Sequence, residues 1–198
     1  MKPDVIIPGM LIKHPLVKSV GLTGSHSRNE ATEWSDWDFL IEVSDFDSFI
    51  PSLPALFQDL RPLSWLWDPL SRHRIFMMIL KGPLKIDIIF DLPHEAELPW
   101  LVNKDSIIDI DRHFWDWIWW IAGKKIRGKE DLVKNELEKM YQFILLPLGG
   151  SECPVAVEDA VKEYLTLIQR QLDIFDMKLN RDLRVEIISG LKKMGFRV

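Results

Sequence analysis

Residues 17–43 read VKSVGLTGSHSRNEATEWSDWDFLIEV, and this stretch decides the fold. Its two runs rich in apolar and β-branched residues, 17–23 and 37–43, predict two strands, because polar turn residues separate them. The first strand ends at Gly24, and the second begins beside a pair of aspartates. The segment therefore predicts a strand, a glycine turn and a second strand that starts with two carboxylates.

The paired aspartates are Asp36 and Asp38, two residues apart at the start of the second strand. Side chains alternate along a strand, so both carboxylates lie on the same face. Two adjacent carboxylates repel each other unless a cation lies between them, and Mg²⁺ prefers such hard oxygen ligands. Taken alone, the pair is more typical of a solvated acidic strand start than of a metal site.

A third aspartate, Asp87, lies in the apolar run Leu84-Lys85-Ile86-Asp87-Ile88-Ile89-Phe90. A charge inside such a strand is costly to bury without a partner. If this strand pairs with the strand that begins at Trp37, the third carboxylate joins the first two. Carboxylates gathered in this way are typical of the two-metal sites that catalyse in-line phosphoryl transfer.

The turn before the aspartate pair begins with Gly24 and Ser25. Glycine lets the backbone approach a phosphate closely, and the serine hydroxyl can bond a phosphate oxygen. Arg28 can add positive charge there. A Gly-Ser turn is common, and only its position before Asp36 gives it meaning.

The rest of the first half predicts a small α/β unit. Residues 46–60 have the apolar spacing of an amphipathic helix, although they include Pro51 and Pro54. Residues 74–80 and 84–90 predict two strands joined by a Lys-Gly-Pro hairpin turn.

The second half has helical spacing, and the change lies near Asp109. We therefore predict two domains, residues 1–108 and residues 109–198. Asp111 is predicted to cap the first helix of the second domain. The spacing predicts four helices that pack as a bundle or a cap, over residues 111–126, 130–146, 157–179 and 183–194.

Together these motifs resemble the nucleotidyltransferase domain of the DNA polymerase β superfamily. That signature is a Gly-Ser turn, a spacer, Asp-x-Asp at a strand start and a third Asp on a later strand. The resemblance covers residues 15–91, and the chain looks most like bacterial aminoglycoside and lincosamide nucleotidyltransferases. It implies an α+β fold, in which a small mixed sheet with flanking helices is followed by a helical C-terminal domain that binds substrate or packs.

The resemblance also implies roles for particular residues, and two positions depart from the pattern. His26 stands where relatives often carry arginine, and Asn29 stands where they often carry glycine. No metal-binding position is lost by either departure. The implied site consists of the catalytic metal ligands Asp36, Asp38 and Asp87, which would hold two Mg²⁺ ions, and the nucleotide-binding residues Gly24, Ser25 and Arg28.

The implied reaction transfers a nucleoside monophosphate, which we expect to be AMP, from a nucleoside triphosphate. The expected acceptor is a hydroxyl of a small molecule such as an aminoglycoside-like antibiotic, and pyrophosphate is released. An alternative is a nucleotide-binding or protein-modifying regulatory module, as in a toxin–antitoxin pair, without small-molecule turnover. The retention of three carboxylates favours the enzyme.

The acceptor side of the reaction is less defined by the sequence. Residues 91–116 contain seven acidic and two basic residues, which suits a polycationic acceptor, although a solvated linker explains them equally well. Four tryptophans between Trp115 and Trp120 favour packing in the core or at a dimer interface over a stacking platform, so a homodimer is one expected state. The candidates for a general base are Asp91, Glu95, Asp111 and Asp116.

The composition excludes several other classes of protein. A net charge of −5 argues against nucleic-acid binding and against a template-directed polymerase. The lone Cys153 excludes an internal disulfide and a multi-cysteine zinc site. No stretch is long and apolar enough for a membrane span, and no signal peptide is recognisable, so we expect a cytoplasmic protein without membrane partners.

Overall fold

One mixed sheet of five strands organises the first part of the chain, in a computed structural model that describes residues 2–95 and 99–198. Its spatial order is β1-β2-β5-β4-β3. β2 and β5 run parallel, whereas the other neighbouring strands run antiparallel. The strands are β1 (Val17–Thr23), β2 (Trp37–Val43), β3 (Ser64–Trp67), β4 (His73–Leu80) and β5 (Leu84–Pro93).

The predicted strands and hairpin of the first half are confirmed. β4 and β5 pair from Leu80 and Leu84 outward, as expected for strands joined by a tight turn. The almost continuous apolar run of β5 fits its central position between β2 and β4, and its residues Ile86, Ile88 and Phe90 are buried in the core. The sequence interpretation did not predict the short strand β3.

Short helical segments complete the first part of the chain. The predicted single helix over residues 46–60 is wrong, because two α-helical turns alternate with two 3₁₀ turns there. Pro51 and Pro54 lack the amide hydrogens that a continuous helix needs, and each lies near the start of a new segment. The segments of this part are α1 (Pro3–Leu11), α2 (Gly24–Ser27), α3 (Phe46–Phe49) and α4 (Leu53–Phe57), with 3₁₀ turns at Ile50–Ser52 and Gln58–Leu60.

The core of this part lies between the sheet and the helical segments α1, α3 and α4. Phe39 in β2 and Ile88 in β5 are fully buried there, and Ile7 of α1 packs in the same cluster. Since side chains alternate along a strand, Asp38 and Asp87 lie on the opposite face from Phe39 and Ile88. The packing thus leaves the two aspartates on the face that α1, α3 and α4 do not cover.

Four helices of eleven residues or more form the second part. They are α5 (Ile107–Ile126), α6 (Glu130–Met140), α7 (Val157–Phe175) and α8 (Asp182–Lys193). α6 continues into a π-helical turn, Tyr141–Leu145. α5 packs against each of the other three helices, and three of the clustered tryptophans are buried, as expected for core packing: Trp115, Trp117 and Trp119.

Two predicted helix ends in this part are wrong. Asp111 does not cap α5, because the helix begins one turn earlier, at Ile107, and encloses Asp111 in its buried side. α7 ends at Phe175 instead of extending to Leu179, because Asp176 adopts a left-handed conformation with φ of 53°.

The chain divides into two compact units, Met1–Ala96 and Glu97–Val198. The predicted boundary after residue 108 falls in the first turn of α5, and the roles assigned to the two predicted domains stay predictions. Within the described ranges, no helix is both long enough and apolar enough to span a membrane.

Candidate active site

The sheet brings the three predicted aspartates together. Asp38 and Asp87 are direct neighbours in the parallel register of β2 and β5, and Asp36 lies just before β2. One carboxylate oxygen of each residue lies within 4.8 Å of those of the other two. The donor set is entirely of hard oxygen atoms, which fits Mg²⁺ and does not fit a thiolate-binding metal.

Gly24 is in close contact with this cluster. In the antiparallel register of β1 and β2, Thr23 is opposite Asp38, so residue 24 follows directly beside that carboxylate. A Cβ atom built on Gly24 would lie 1.8 Å from Asp38 Oδ2, and Gly24 has a φ of 67°. Both the space and the backbone conformation therefore require glycine at this position.

The hydroxyl of Ser25 is enclosed in the same turn. Ser25 is 7% exposed, and its Oγ makes no hydrogen bond within residues 2–95 and 99–198. A buried hydroxyl without a partner is unfavourable in a folded protein and is a sign of an expected ligand. Its place beside Gly24 makes a phosphate oxygen a suitable acceptor.

The two departures from the family pattern have different consequences in the structure. Asn29 has a φ of 56°, in the left-handed region where glycine is favoured and asparagine is tolerated, so it preserves the turn. The ring of His26 stacks on Trp37, with ring centroids 3.5 Å apart. His26 therefore takes its position from an aromatic contact at the start of β2.

Arg28 lies at the end of α2 and is more exposed than the other predicted nucleotide-binding residues. Its guanidinium Nε donates a hydrogen bond of 2.9 Å to Glu30. About half or more of each side chain is exposed in this ion pair, so it holds Arg28 only weakly.

Lys85 is the site residue that sequence reasoning missed. It is 3% exposed in β5, and its Nζ donates a hydrogen bond to Asp87 Oδ1. Lys85 and Asp87 are two residues apart, so they lie on one face of the strand. The signal in the sequence was a lysine and an aspartate at alternate positions of an otherwise apolar strand, a pattern that places both on one face without showing whether that face is buried.

The electrostatics of Asp87 reflect this enclosed position. Burial raises the pKa of its carboxyl, the Lys85 ammonium opposes that rise, and the negative charges of Asp36 and Asp68 add to it. These surroundings therefore disfavour the ionised form of Asp87, and a nearby cation would stabilise it. This is a physical reason to expect cation binding at the cluster.

The predicted candidates for a general base have very different surroundings. The Asp91 side chain is 86% exposed and lies 3.8 Å from His73 Nδ1, and Glu95 is also exposed. Asp111 and Asp116 are buried in the second unit, at 8% and 3% exposure. Residues 96–98 of the acidic stretch lie outside the described residues. None of the four is singled out as the base by these surroundings.

No curated protein sequence matches the chain. The chain is similar to the crystal structure of an aminoglycoside 6-adenyltransferase from Bacillus subtilis, with 10% sequence identity, a TM-score of 0.39 and coverage of 98% of this chain and 97% of that chain. The model of the nucleotidyltransferase domain family matches residues 6–165. This match spans most of the chain, including both the aspartate cluster and the glycine turn, so the chain belongs to the nucleotidyltransferase domain family and is a nucleotidyltransferase.

Proposed function

We propose that this nucleotidyltransferase transfers AMP from ATP to a hydroxyl group of a small, aminoglycoside-like molecule. The observation that carries the proposal is the gathering of Asp36, Asp38 and Asp87 within 4.8 Å beside the Gly24 turn. Nucleotidyl transfer follows from family membership. The choice of AMP, of Mg²⁺ and of the acceptor is the part that needs a test.

The three aspartates would hold two Mg²⁺ ions. When bound, Mg²⁺ neutralises the charge of the triphosphate and stabilises the negative charge that develops during transfer. The aspartates themselves fix the place of that charge, because β2 and β5 hold their backbones in register. The buried Lys85 holds the Asp87 carboxylate in one orientation.

The glycine turn would bind the triphosphate. Gly24 keeps the backbone free of a side chain next to Asp38, and the enclosed Ser25 hydroxyl would donate to a phosphate oxygen. The Arg28 guanidinium would add positive charge from the exposed end of α2. In this arrangement the turn would hold the triphosphate beside the aspartates that would bind the metal, which would position the α-phosphorus for attack.

The reaction exchanges one bond for another at the α-phosphorus. The acceptor oxygen forms a bond to the phosphorus, the bond from the phosphorus to the bridging oxygen of the β-phosphate breaks, and pyrophosphate leaves. The hydroxyl proton passes to a base or to solvent. No redox change is involved.

The test is a transfer assay on the purified chain with Mg²⁺ and a panel of nucleoside triphosphates. Aminoglycosides, lincosamides and a protein mixture serve as acceptors, and pyrophosphate release and product mass are measured. We expect ATP-dependent release with an AMP adduct on an aminoglycoside-like hydroxyl. Adducts on protein alone would replace this proposal with the protein-modifying alternative.

A matched pair of variants tests the metal assignment. Asp36→Asn removes one carboxylate charge from the cluster and should lower turnover by about a hundredfold or more, the size of loss typical of a removed transition-state contact. Asp59→Asn makes the same change at an exposed aspartate in the same unit and should leave turnover unchanged. Full turnover in Asp36→Asn would contradict the assignment.

A further inference from the structure

The second unit contains a cavity of its own, separate from the aspartate cluster in sequence and in the elements that form it. Its volume is about 880 Å³, and its walls come from α5, α7, α8 and the segment between α7 and α8. Cavities of this size are typical of small-molecule sites. All of the residues that line it belong to Glu97–Val198.

Asp111 is a buried carboxylate on the wall of this cavity. Its Oδ1 accepts two hydrogen bonds, one of 2.7 Å from the Tyr164 hydroxyl and one of 3.0 Å from the Trp115 indole. These bonds fix the orientation of the carboxylate. Its Oδ2 makes no hydrogen bond to the described residues and is not fully enclosed, so this oxygen is open to the cavity.

Aromatic side chains pack against Asp111 on the side of its two hydrogen bonds. Tyr164 is fully buried, and its ring stacks on Phe114 at a centroid distance of 3.6 Å. Ile168 and Leu172 of α7 are buried and line the same cavity. A ligand that enters would meet this fixed anionic oxygen, the apolar side chains of α7 and a larger number of polar or charged side chains.

Charges of both signs lie around this anion. Arg184, on α8, is half-buried and lines the cavity, and its positive charge, like that of Arg112, lowers the pKa of Asp111 against the larger effect of burial. The other charged lining residues are exposed and therefore strongly screened by water and salt. These exposed residues are Asp173, Asp176, Lys178, Arg181 and Asp182.

We propose that the cavity binds a small organic cation, through an ammonium group that donates a hydrogen bond to Asp111 Oδ2. A buried carboxylate with one oxygen left open is costly unless a cation or donor meets it. An ammonium supplies both the charge and the hydrogen bond. Polyamines and aminosugars both carry such groups, and the mixed polar and apolar residues of the remaining walls suit both frames.

The test is a calorimetric titration of the full chain with spermidine and, separately, with the aminoglycoside kanamycin. We expect at least one of the two to bind to the wild type. Asp111→Asn should weaken this binding by about tenfold or more, the usual effect of losing a charged partner. Asparagine retains a carbonyl oxygen for the Tyr164 and Trp115 bonds, so the fold should persist, which circular dichroism checks.

A second variant changes affinity in the opposite direction. Arg184→Gln removes the lining cation whose charge acts on Asp111 and should strengthen amine binding by about two- to threefold, because a competing positive charge is lost. Asp173→Asn changes an exposed residue of the rim and should have little effect. The indole N–H resonance of Trp115, identified by Trp115→Phe, should shift on titration, since Trp115 donates to the same carboxylate.

Three results would overturn the proposal. These are equal amine binding by the wild type and Asp111→Asn, no amine binding at millimolar concentration, and tighter binding of citrate or pyrophosphate than of either amine. The titrations contain no nucleotide and no metal. Their outcome therefore does not depend on whether the chain transfers AMP, and the transfer assay does not depend on them.

Discussion

The carboxylate of Asp38 occupies the space that a side chain at residue 24 would need. A Cβ on Gly24 would lie 1.8 Å from Asp38 Oδ2 and 2.8 Å from its Cγ. The contact joins the turn proposed to bind nucleotide to a proposed metal ligand. The proposed nucleotide binding by the turn and the proposed metal binding by Asp38 are thus linked by one contact. A side chain at residue 24 must displace the Asp38 carboxylate or the turn itself.

Gly24→Ala should therefore damage activity and stability together. The methyl group forces Asp38 or the turn to move, and the left-handed φ adds a strain of about 1–3 kcal/mol. We expect a large loss of turnover, a weaker dependence on Mg²⁺ and a lower melting temperature. The matched control is Gly21→Ala in β1, because a Cβ there meets nothing within 4 Å. Wild-type turnover in Gly24→Ala would show that the contact has no functional role.

Lys85 provides the second prediction. Lys85→Met removes the cation that pairs with buried Asp87, and loss of one member of a buried pair costs about 3–5 kcal/mol. We expect a marked fall in melting temperature without metal. Added Mg²⁺ or Mn²⁺ should stabilise this variant more than the wild type, because the metal supplies the missing positive charge. Thermal unfolding with and without metal measures both effects.

A double variant distinguishes this explanation from simple loss of packing. In Lys85→Met with Asp87→Asn, no uncompensated charge remains, so much of the lost stability should return. The added metal should then have little effect. An equal response to metal in the wild type and in Lys85→Met would show that the lysine and the metal do not act on the same carboxylate.

The third prediction concerns the enclosed hydroxyl of Ser25. Ser25→Ala should raise KM for the nucleotide by about tenfold, as expected for a lost hydrogen bond to a charged group. It should leave thermal stability unchanged, since Ser25 Oγ has no partner among the described residues. Ser64→Ala removes a second buried hydroxyl without a described partner, in β3, and should leave KM unchanged. Equal KM values for all three proteins would remove Ser25 from the nucleotide site.

Much of the site follows from local sequence patterns. A period of two places Asp36 and Asp38 on one face, and an apolar run marks the strand that carries Asp87. Their meeting depends on the parallel pairing of β2 with β5, which no local pattern in the sequence indicates. What local patterns did not show was the result of tertiary packing. Lysine is usually a surface residue, and Lys85 becomes a partner for Asp87 because both are buried.

The same limit explains the error at Asp111. An aspartate near the expected start of a helix fits a capping role by sequence, and nothing local indicates that α5 starts at Ile107. The long-range partner of Asp111 is Tyr164, fifty-three residues away. A contact over that separation has no signature in a single sequence, so a buried polar residue was interpreted as an exposed one.

The burial of Asp111 leads to a prediction about pH. Burial raises the pKa of this carboxyl above its ordinary value of 3.8, while the hydrogen bonds from Tyr164 and Trp115 oppose the rise. At pH values between the pKa of Asp111 in the unfolded state and its higher pKa in the folded state, the folded state binds more protons. Stability therefore falls as pH rises through this range.

Asp111→Asn removes that dependence. The free energy of unfolding of the variant, relative to the wild type, should increase from about pH 4 upward and level off above the folded pKa, which urea unfolding across about pH 4 to 7 measures. A constant difference between Asp111→Asn and the wild type across this range would contradict the prediction.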